Sequence, residues 1–167
     1  SSAPALARSP RCDAAMQVVA AMRNGRLECS PFQHNVAISA CAERAEWQLA
    51  IGLLREMPAV MLGANIISYS AAISVCEKAV QWSFALALMA QASCTALQPN
   101  TISYGAAISA CKAAAQWHLA LWLLAEASHA GLQASIVSCG AAIGACRAAA
   151  QWRCALRLLD GLRSVGL

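Results

Sequence analysis

Apolar residues in this chain follow the spacing of an α-helix, in short segments separated by polar or alanine-rich turns. Within 66–100, two successive stretches repeat the steps i, i+3, i+4 and i+7: Tyr69, Ala72, Ile73 and Cys76, then Trp82, Ala85, Leu86 and Met89. That spacing places each set on one face of a helix. We predict a first helix over 68–78 and a second helix over 81–92.

The same pattern returns every 35 residues. Five columns of identical residues keep this step: Trp47, Trp82, Trp117 and Trp152; Ile38, Ile73, Ile108 and Ile143; Cys41, Cys76, Cys111 and Cys146; Ala50, Ala85, Ala120 and Ala155; Leu53, Leu88, Leu123 and Leu158. A lone pair of short helices cannot bury both of its apolar faces, so successive pairs must stack. The sequence therefore predicts an all-α fold, an α-solenoid of helix-turn-helix repeats with a 35-residue period.

The columns also set the boundaries of the predicted repeats. Complete repeats cover 31–65, 66–100 and 101–135, a fourth covers 136–167 and is truncated at its C-terminal end, and 12–30 is predicted as the second helix of a partial repeat. Neither end carries the polar capping helix that a solenoid needs, so we expect a piece of a longer array, unless flanking loops do the capping. Polar residues and glycines are predicted to bound the helices: Ser68, Ser103 and Ser138 as first-helix caps, and Gly131 and Gly166 as stops.

Composition narrows the possible function classes. The net charge of +4 is a mild basic excess that permits a polyanionic partner without requiring one. Although the mean hydropathy is +0.52, no segment approaches the roughly 20 consecutive apolar residues of a membrane-spanning helix. We therefore expect no membrane insertion.

The residues that carry enzyme chemistry are also missing as motifs. The nine cysteines form no CxxC pair, and the four in the repeat column suit a small apolar packing position. The three histidines are scattered, and no HExxH string or glycine-rich phosphate loop occurs. We expect no catalytic residue, no metal site and no cofactor.

The strings at 67–76 and 102–111 read Ile-Ser-Tyr-x-Ala-Ala-Ile-Ser-x-Cys and are followed by Gln-Trp and then Ala-Leu-x-Leu. They resemble the pentatricopeptide repeat, whose period also matches. The resemblance implies a right-handed superhelix that binds single-stranded RNA, one base per repeat. It further implies a role in RNA processing, stability or translation in a chloroplast or mitochondrion, without catalysis. The acid-free stretch 1–11, with two arginines, is compatible with a transit-peptide remnant.

The resemblance also assigns roles to residues: the second residue of each repeat packs on a base face, and the fifth and last residues contact its edge. The stacking positions here are Phe32, Ile67, Ile102 and Val137, and the base-reading positions are Asn35, Asn65, Ser70, Asn100, Gly105, Ser135 and Gly140. The implied pairs are Asn35 with Asn65 for a pyrimidine and Ser70 with Asn100 for an adenine. Because Gly105 and Gly140 have no side chain, the next two bases are weakly specified.

Other interpretations of the same residues stay open at this stage. Asn and Ser near helix starts also suit helix capping. One cation near the turn inside each repeat could meet a phosphate or offset a helix dipole: Arg44, Lys78, Lys112 and Arg147. The tryptophan column is expected in the core, with Trp122 as an additional packing or surface residue. The concave surface could instead receive a protein partner, as a scaffold.

Overall fold

The computed structural model describes residues 30–59, 61–133 and 135–164, together with the single positions 17, 20 and 21. Within the continuous ranges it contains eight α-helices and no strand. The helices are α1 (Pro31–Ala40), α2 (Trp47–Ala59), α3 (Ile66–Lys78), α4 (Trp82–Cys94), α5 (Thr101–Ala113), α6 (Trp117–His129), α7 (Ile136–Ala148) and α8 (Trp152–Ser164), with a short 3-10 turn, Cys41–Glu43, after α1. Most of the predicted helix at 12–30, the stretch 1–11 and Gly166 lie outside the described residues.

Each first helix begins directly after a polar residue that caps it. The Oδ1 atom of Asn65 accepts hydrogen bonds from the backbone N–H groups of Ile67 at 3.0 Å and Ser68 at 3.1 Å. The corresponding caps are Asn100 for α5 and Ser135 for α7. The serine predicted as a cap instead stands at the third helical position, where Ser68 Oγ accepts a reciprocal bond from the Asn65 N–H at 3.3 Å. As a result α3 begins two residues earlier than predicted.

The end of each first helix is a turn with one left-handed residue. After α3, Val80 has a φ of 56°, its N–H donates to Glu77 O at 3.0 Å, and the Gln81 N–H donates to Cys76 O at 2.9 Å. This bonding pattern satisfies the last carbonyl groups of a helix. The left-handed residues after the other first-helix segments are Ala45, Ala115 and Ala150. The chain thus reverses within a few residues, and the second helix packs back on the first.

The second helices end in a related turn that also buries a leucine against the core. The Leu97 N–H donates to Ala92 O at 3.0 Å, and the Leu132 N–H donates to Ala127 O at 3.0 Å. Both leucines pack against the core cluster. Gly131, which the sequence predicts as a helix stop, has a φ of 73° just after α6, so this prediction is confirmed.

The repeated apolar columns form the core. Several of their members are completely buried: Ile38, Ile73 and Ile108; Ala50, Ala85 and Ala120; Cys76, Cys111 and Cys146. These cysteines are free thiols, and burial raises the pKa of Cys76 and of Cys111 to about 11. A thiol with such a pKa stays neutral at physiological pH and packs as a small apolar group.

The helices form two layers with different spacing. First helices contact the first helix of the next repeat, and each second helix also contacts the first helix that follows it. Among the described helices, the backbones of successive second helices are further apart, although the rings of Trp47 and Phe84 meet across one such pair with their centroids 4.4 Å apart. Because the first-helix layer is the more tightly spaced, it forms the inner, concave side of the solenoid.

The tryptophan column is only partly in the core. Trp47, Trp82 and Trp117 are half-buried and pack against the core cluster. Trp152 is 61% exposed, so the prediction of a core position was wrong for this member. Earlier tryptophans are followed by another repeat, whereas no described helix follows α8. Trp122, outside the column, is also exposed.

Candidate functional site

One face of every first helix is left free by the core and lines the concave side. In α3, the residues Ile67, Ser70, Ser74 and Glu77 lie at steps of three and four, so they share one face of the helix. The opposite face carries the fully buried residues Ala72 and Cys76. We call this surface the inner face and define it by four residues per repeat: Phe32, Asn35, Ser39 and Ala42; Ile67, Ser70, Ser74 and Glu77; Ile102, Gly105, Ser109 and Lys112; Val137, Gly140, Gly144 and Arg147.

The predicted stacking positions form a row of exposed apolar side chains on this face. The exposed fractions are 75% for Phe32, 60% for Ile67, 65% for Ile102 and 73% for Val137. These residues do not contribute to the core, although Ile73 and Ile108 on the same helices are fully buried. Exposed apolar groups that line up on one surface indicate a binding site more than a packing role.

The predicted reading pair of the second repeat is brought together by the stacking of two repeats. Ser70 is buried, and its hydroxyl donates to Ile66 O at 2.7 Å. The same Oγ lies 2.8 Å from Ser103 Oγ and 3.4 Å from Asn100 Oδ1. Asn100 Oδ1 in turn accepts from the Ser103 N–H at 2.9 Å and from Ser103 Oγ at 3.0 Å. Ser103, which the sequence does not mark as a site residue, therefore links the two reading positions.

These bonds determine which atoms of the Asn100 amide remain available to a ligand. Its Oδ1 must face Ser103, because a backbone N–H needs an acceptor. Its Nδ2 hydrogens have no partner among the described residues. The same orientation holds for Asn65, whose Oδ1 is engaged by Ile67 and Ser68. Capping and outward donation are thus compatible in one asparagine, so the two interpretations that the sequence leaves open do not compete.

The first predicted pair is less organised than the second. Asn35 is half-buried, and its Oδ1 is buried without a hydrogen-bond partner in the part of the chain that the structure describes. A buried acceptor without a donor costs about 1 to 3 kcal/mol. No hydrogen bond joins Asn35 to Asn65 in that same part. Turning the Asn35 amide so that its Oδ1 accepts a hydrogen bond from an approaching donor would therefore lower the free energy.

In the third and fourth repeats the fifth residue is a glycine, so no side chain there can take the part that Ser70 has in the hydrogen-bond network. Ser135 caps α7, accepting from the Ser138 N–H at 3.1 Å, and its Oγ lies 2.8 Å from Ser138 Oγ. A Cβ atom added to Gly105 would lie 3.6 Å from Ser138 Oγ, an ordinary contact distance. A Cβ added to Gly140 would meet nothing within 4 Å. The space for a reading side chain exists at both glycines and is unfilled.

The four predicted phosphate residues do not form an even row. Lys112 and Arg147 occupy the inner face, Lys78 is one residue further round its helix, and Arg44 lies in the turn after α1, with Nη1 3.6 Å from Glu46 Oε1. All four side chains are exposed. Because they stand at different repeat positions, the positive charge on the inner face is concentrated in the third and fourth repeats.

A carboxylate interrupts the cations in the second repeat. Glu77 is half-buried on the inner face, and burial raises the pKa of its carboxyl group, while a hydrogen bond from Ser109 and the charges of Lys78 and Lys112 act in the opposite direction. The alkyl stem of Lys112 lies over Gly144, where an added Cβ would be 2.9 Å from Lys112 Cε. In both cases the twelfth residue of one repeat reaches the ninth residue of the next.

The described residues contain no group of three or more His, Cys, Asp and Glu side chains that could hold a metal ion. In the same residues, no helix is both long enough and apolar enough to cross a membrane.

Comparison with known proteins shows similarity at the level of structure. No protein-family model and no curated protein matches the sequence. The chain is similar to the PPR domain of Arabidopsis thaliana protein-only RNase P 1, solved in complex with tRNA, with a TM-score of 0.79 and 14% identity over 93% of this chain and 82% of that chain.

The chain is also similar to the pentatricopeptide repeat protein PPR10 from maize, with a TM-score of 0.77 and 23% identity. That match covers 94% of this chain and 22% of the other. PPR10 in complex with an 18-nt psaJ RNA element gives a TM-score of 0.76 at 17% identity, over 90% of this chain and 23% of that chain. The chain thus spans less than a quarter of the length of PPR10.

Proposed function

We propose that this chain, which has the fold of pentatricopeptide repeat proteins, binds single-stranded RNA along its inner face with one base per repeat. The observation that carries the proposal is the row of exposed apolar residues at the second positions, next to polar side chains at the fifth and last positions. Apolar side chains pack on base planes, and amides and hydroxyls bond to base edges. The chain acts by occupying its RNA, without chemistry of its own.

In the second repeat, Ser70 and Asn100 are proposed to read an adenine. Because Asn100 Oδ1 is engaged by Ser103, its Nδ2 group can offer only donor hydrogens to a base. Ring nitrogens of adenine accept such hydrogens. The orientation of this amide is therefore set by the cap, before any RNA is bound.

The other repeats are proposed to differ in how strictly they read. Asn35 with Asn65 is proposed to read a pyrimidine, whose carbonyl oxygens accept from an amide. Gly105 and Gly140 leave the bases of the third and fourth repeats with weak specification. The exposed Ile102 and Val137 would still pack on those bases, so these repeats contribute affinity more than selectivity.

The variant Asn100→Ser tests the adenine assignment. Serine caps α7 naturally at Ser135, so α5 should keep its cap and the free energy of unfolding should change by less than about 0.5 kcal/mol. Loss of the Nδ2 donor should weaken binding to an adenine-containing oligonucleotide by about 1 to 3 kcal/mol. Asn100→Ala is less informative, because removing the cap costs about 1 kcal/mol of stability by itself.

The measurement is fluorescence anisotropy with a short pyrimidine-adenine oligonucleotide and a poly-guanine control, at two salt concentrations. Unchanged affinity in Asn100→Ser would show that the residue is a cap only and that the base assignment is wrong. If the unmodified protein binds neither oligonucleotide at low salt, the proposed RNA binding itself is wrong.

We also propose that the chain belongs to a longer repeat array. On α8, Trp152, Leu156 and Leu159 are exposed by 61%, 52% and 44%. The residues that correspond to Leu159 in the earlier repeats are covered by the next repeat: Leu54 at 4%, Met89 at 7% and Leu124 at 7% exposure. A further first helix would cover the α8 stripe in the same way.

An organellar setting, in a chloroplast or a mitochondrion, and a role in RNA processing, stability or translation are proposed on the family resemblance. Imaging of the full-length protein with a C-terminal fluorescent tag tests the setting. Signal that coincides with either organelle supports the proposal and separates the two, whereas signal confined to the cytosol contradicts it.

A protein-binding scaffold is the second candidate function. The specific observation in its favour is the pair of glycines at reading positions, Gly105 and Gly140, beside exposed Ile102 and Val137. The third and fourth repeats thus offer an apolar surface whose fifth positions carry no base-reading side chain, which suits the apolar side of a partner helix. Absence of RNA binding together with capture of a defined helical peptide would favour this alternative.

A further inference from the structure

The inner face carries a second set of contacts between repeats, distinct from the base-reading positions. Ser109 of the next repeat lies close enough to Glu77 to lower the pKa of its carboxyl group, and the Lys112 stem lies over Gly144 of the repeat after that. Both contacts join a twelfth residue to a ninth residue. They run parallel to the row of Ile67 and Ile102, at the other end of the first helices.

These contacts differ in charge from one repeat to the next. The twelfth residues are Ala42, Glu77, Lys112 and Arg147, so the row passes from neutral to negative and then to positive. Glu77 lies on the inner face and is close enough to Lys78 and Lys112 for their charges to lower the pKa of its carboxyl group. The two lysines are exposed, whereas the carboxylate is half-buried and therefore less screened by water.

Gly144 influences which way Lys112 extends. The ninth residues of the other repeats are serines: Ser39, Ser74 and Ser109. A side chain at position 144 would occupy the space that the Lys112 stem takes, since Cε and Cδ lie 2.9 and 3.2 Å from the position of an added Cβ. Glycine thus lets the Lys112 stem lie across the next repeat, close to the surface that carries Arg147.

We infer that Glu77 is a negative determinant of RNA binding, which repels the phosphates at the second repeat and weakens the positive field of the neighbouring Lys78 and Lys112. This inference rests on the proposed RNA binding. Its physical basis is that a carboxylate repels a polyanion and neutralises neighbouring cations. The inner face is then divided: the first two repeats read bases, and the last two, which have glycines at reading positions, hold the backbone.

The test compares two variants that remove the same charge. Glu77→Gln removes the charge and keeps a side-chain oxygen, and Glu126→Gln is the control, because Glu126 is an exposed carboxylate on the second helix α6. Affinity for a fluorescein-labelled poly-uridine 12-mer is measured by anisotropy at low and moderate salt. Poly-uridine is used so that base reading contributes equally to all variants.

Glu77→Gln should bind about three- to tenfold more tightly at low salt, with a steeper loss of affinity as salt rises, because more cations are free to meet phosphates. Glu126→Gln should change affinity less than about twofold. In a Lys112→Gln background the gain from Glu77→Gln should shrink, since part of the effect acts through that lysine. Thermal unfolding of each variant confirms that it is folded.

The outcomes separate the inference from the function on which it rests. If the unmodified protein binds RNA and Glu77→Gln behaves like Glu126→Gln, the assignment of Glu77 is wrong and the proposed function stands. If neither the unmodified protein nor Glu77→Gln binds RNA at low salt, both are wrong. A gain in Glu77→Gln that persists unchanged at high salt would also overturn the inference, because a charge effect must be screened.

Discussion

The hydroxyl oxygens of Ser70 and Ser103 lie 2.8 Å apart, although they belong to different repeats. Ser103 is also held by the cap residue Asn100, at 2.9 Å through its N–H and 3.0 Å through its hydroxyl. Ser70, a proposed reading residue of one repeat, is therefore positioned by the first turn of the next. The geometry of the proposed base-reading pair is thus a property of the interface between repeats, and changes at that interface should alter both stability and RNA selectivity.

Gly105→Ser should rebuild this contact at the next interface. The added Cβ fits at 3.6 Å from Ser138 Oγ, so the new hydroxyl can reach Ser138 as Ser70 reaches Ser103. Replacing a helical glycine should stabilise the fold by about 0.5 kcal/mol, and the new hydrogen bond by up to about 1 kcal/mol. Urea denaturation measures the gain, and anisotropy measures selectivity for the third base.

The control for this variant is Gly140→Ser, where an added Cβ meets nothing within 4 Å. Gly140→Ser should show only the stabilisation that comes from the higher helix propensity of serine. Equal stabilisation by both substitutions would mean that no inter-repeat bond forms at Gly105, and the selectivity should then stay unchanged.

Ile67→Ala should separate binding from folding. Ile67 is 60% exposed, so its truncation should change the free energy of unfolding by less than about 0.5 kcal/mol. Its loss should weaken RNA binding by about 1 kcal/mol or more, because an apolar surface against a base is removed. Ile73→Ala, on the same helix but fully buried, should instead cost about 2 to 5 kcal/mol of stability.

Denaturation and anisotropy on the two isoleucine variants provide the comparison. An Ile67→Ala protein that unfolds as easily as Ile73→Ala would contradict the exposed placement. Full RNA affinity in Ile67→Ala would remove the second positions from the binding surface.

Val80→Gly should stabilise the protein. Val80 has a φ of 56°, a conformation that costs a residue with a Cβ about 1 to 2 kcal/mol, and glycine adopts it readily. After allowing for the greater entropy of glycine in the unfolded chain, we expect a net gain of about 0.5 to 1 kcal/mol in urea denaturation.

The neighbouring substitution Ala79→Gly provides a control with the opposite sign. Ala79 has a φ of −82°, where glycine has no advantage, so this change should destabilise by about 0.5 to 1 kcal/mol. A loss of stability in Val80→Gly comparable to that in Ala79→Gly would contradict the left-handed turn.

The buried thiols predict a response to alkaline pH. Burial raises the pKa of Cys76 and Cys111 to about 11, above the ordinary value of 9.0, so the folded state binds these protons more tightly than the unfolded state does. Their contribution to stability is therefore fully present below about pH 9 and is lost as the pH rises towards 11. Urea midpoints measured between pH 8 and 10.5 should fall, and the fall should be shallower in Cys76→Ala.

Reaction with a thiol reagent at pH 8 checks the same placement. The exposed Cys94 should react at once, and Cys76 and Cys111 should react only on unfolding. Rapid modification of Cys76 in the native protein, identified by mass spectrometry of its peptide, would contradict its burial.

The limits of sequence interpretation are visible at particular residues. Hydrophobic spacing and the 35-residue step were enough to predict the helix pairs and the buried Ile73 and Cys76, because a helix face is a local property of the chain. The start of α3 was missed by two residues, since Asn65 competes with Ser68 for the capping position and only backbone geometry shows which of them accepts the first N–H groups. The exposure of Trp152 was missed because burial depends on which helix packs next.

By itself, then, the sequence determined the period, the helical class, the apolar columns and the identity of the residues at each repeated position. Tertiary structure decided which of these residues meet: Ser70 with Ser103 and Asn100, and Lys112 with Gly144. The physical reason is distance along the chain. A periodic pattern specifies neighbours within a helix, whereas contacts between residues some thirty positions apart depend on how one repeat is set against the next.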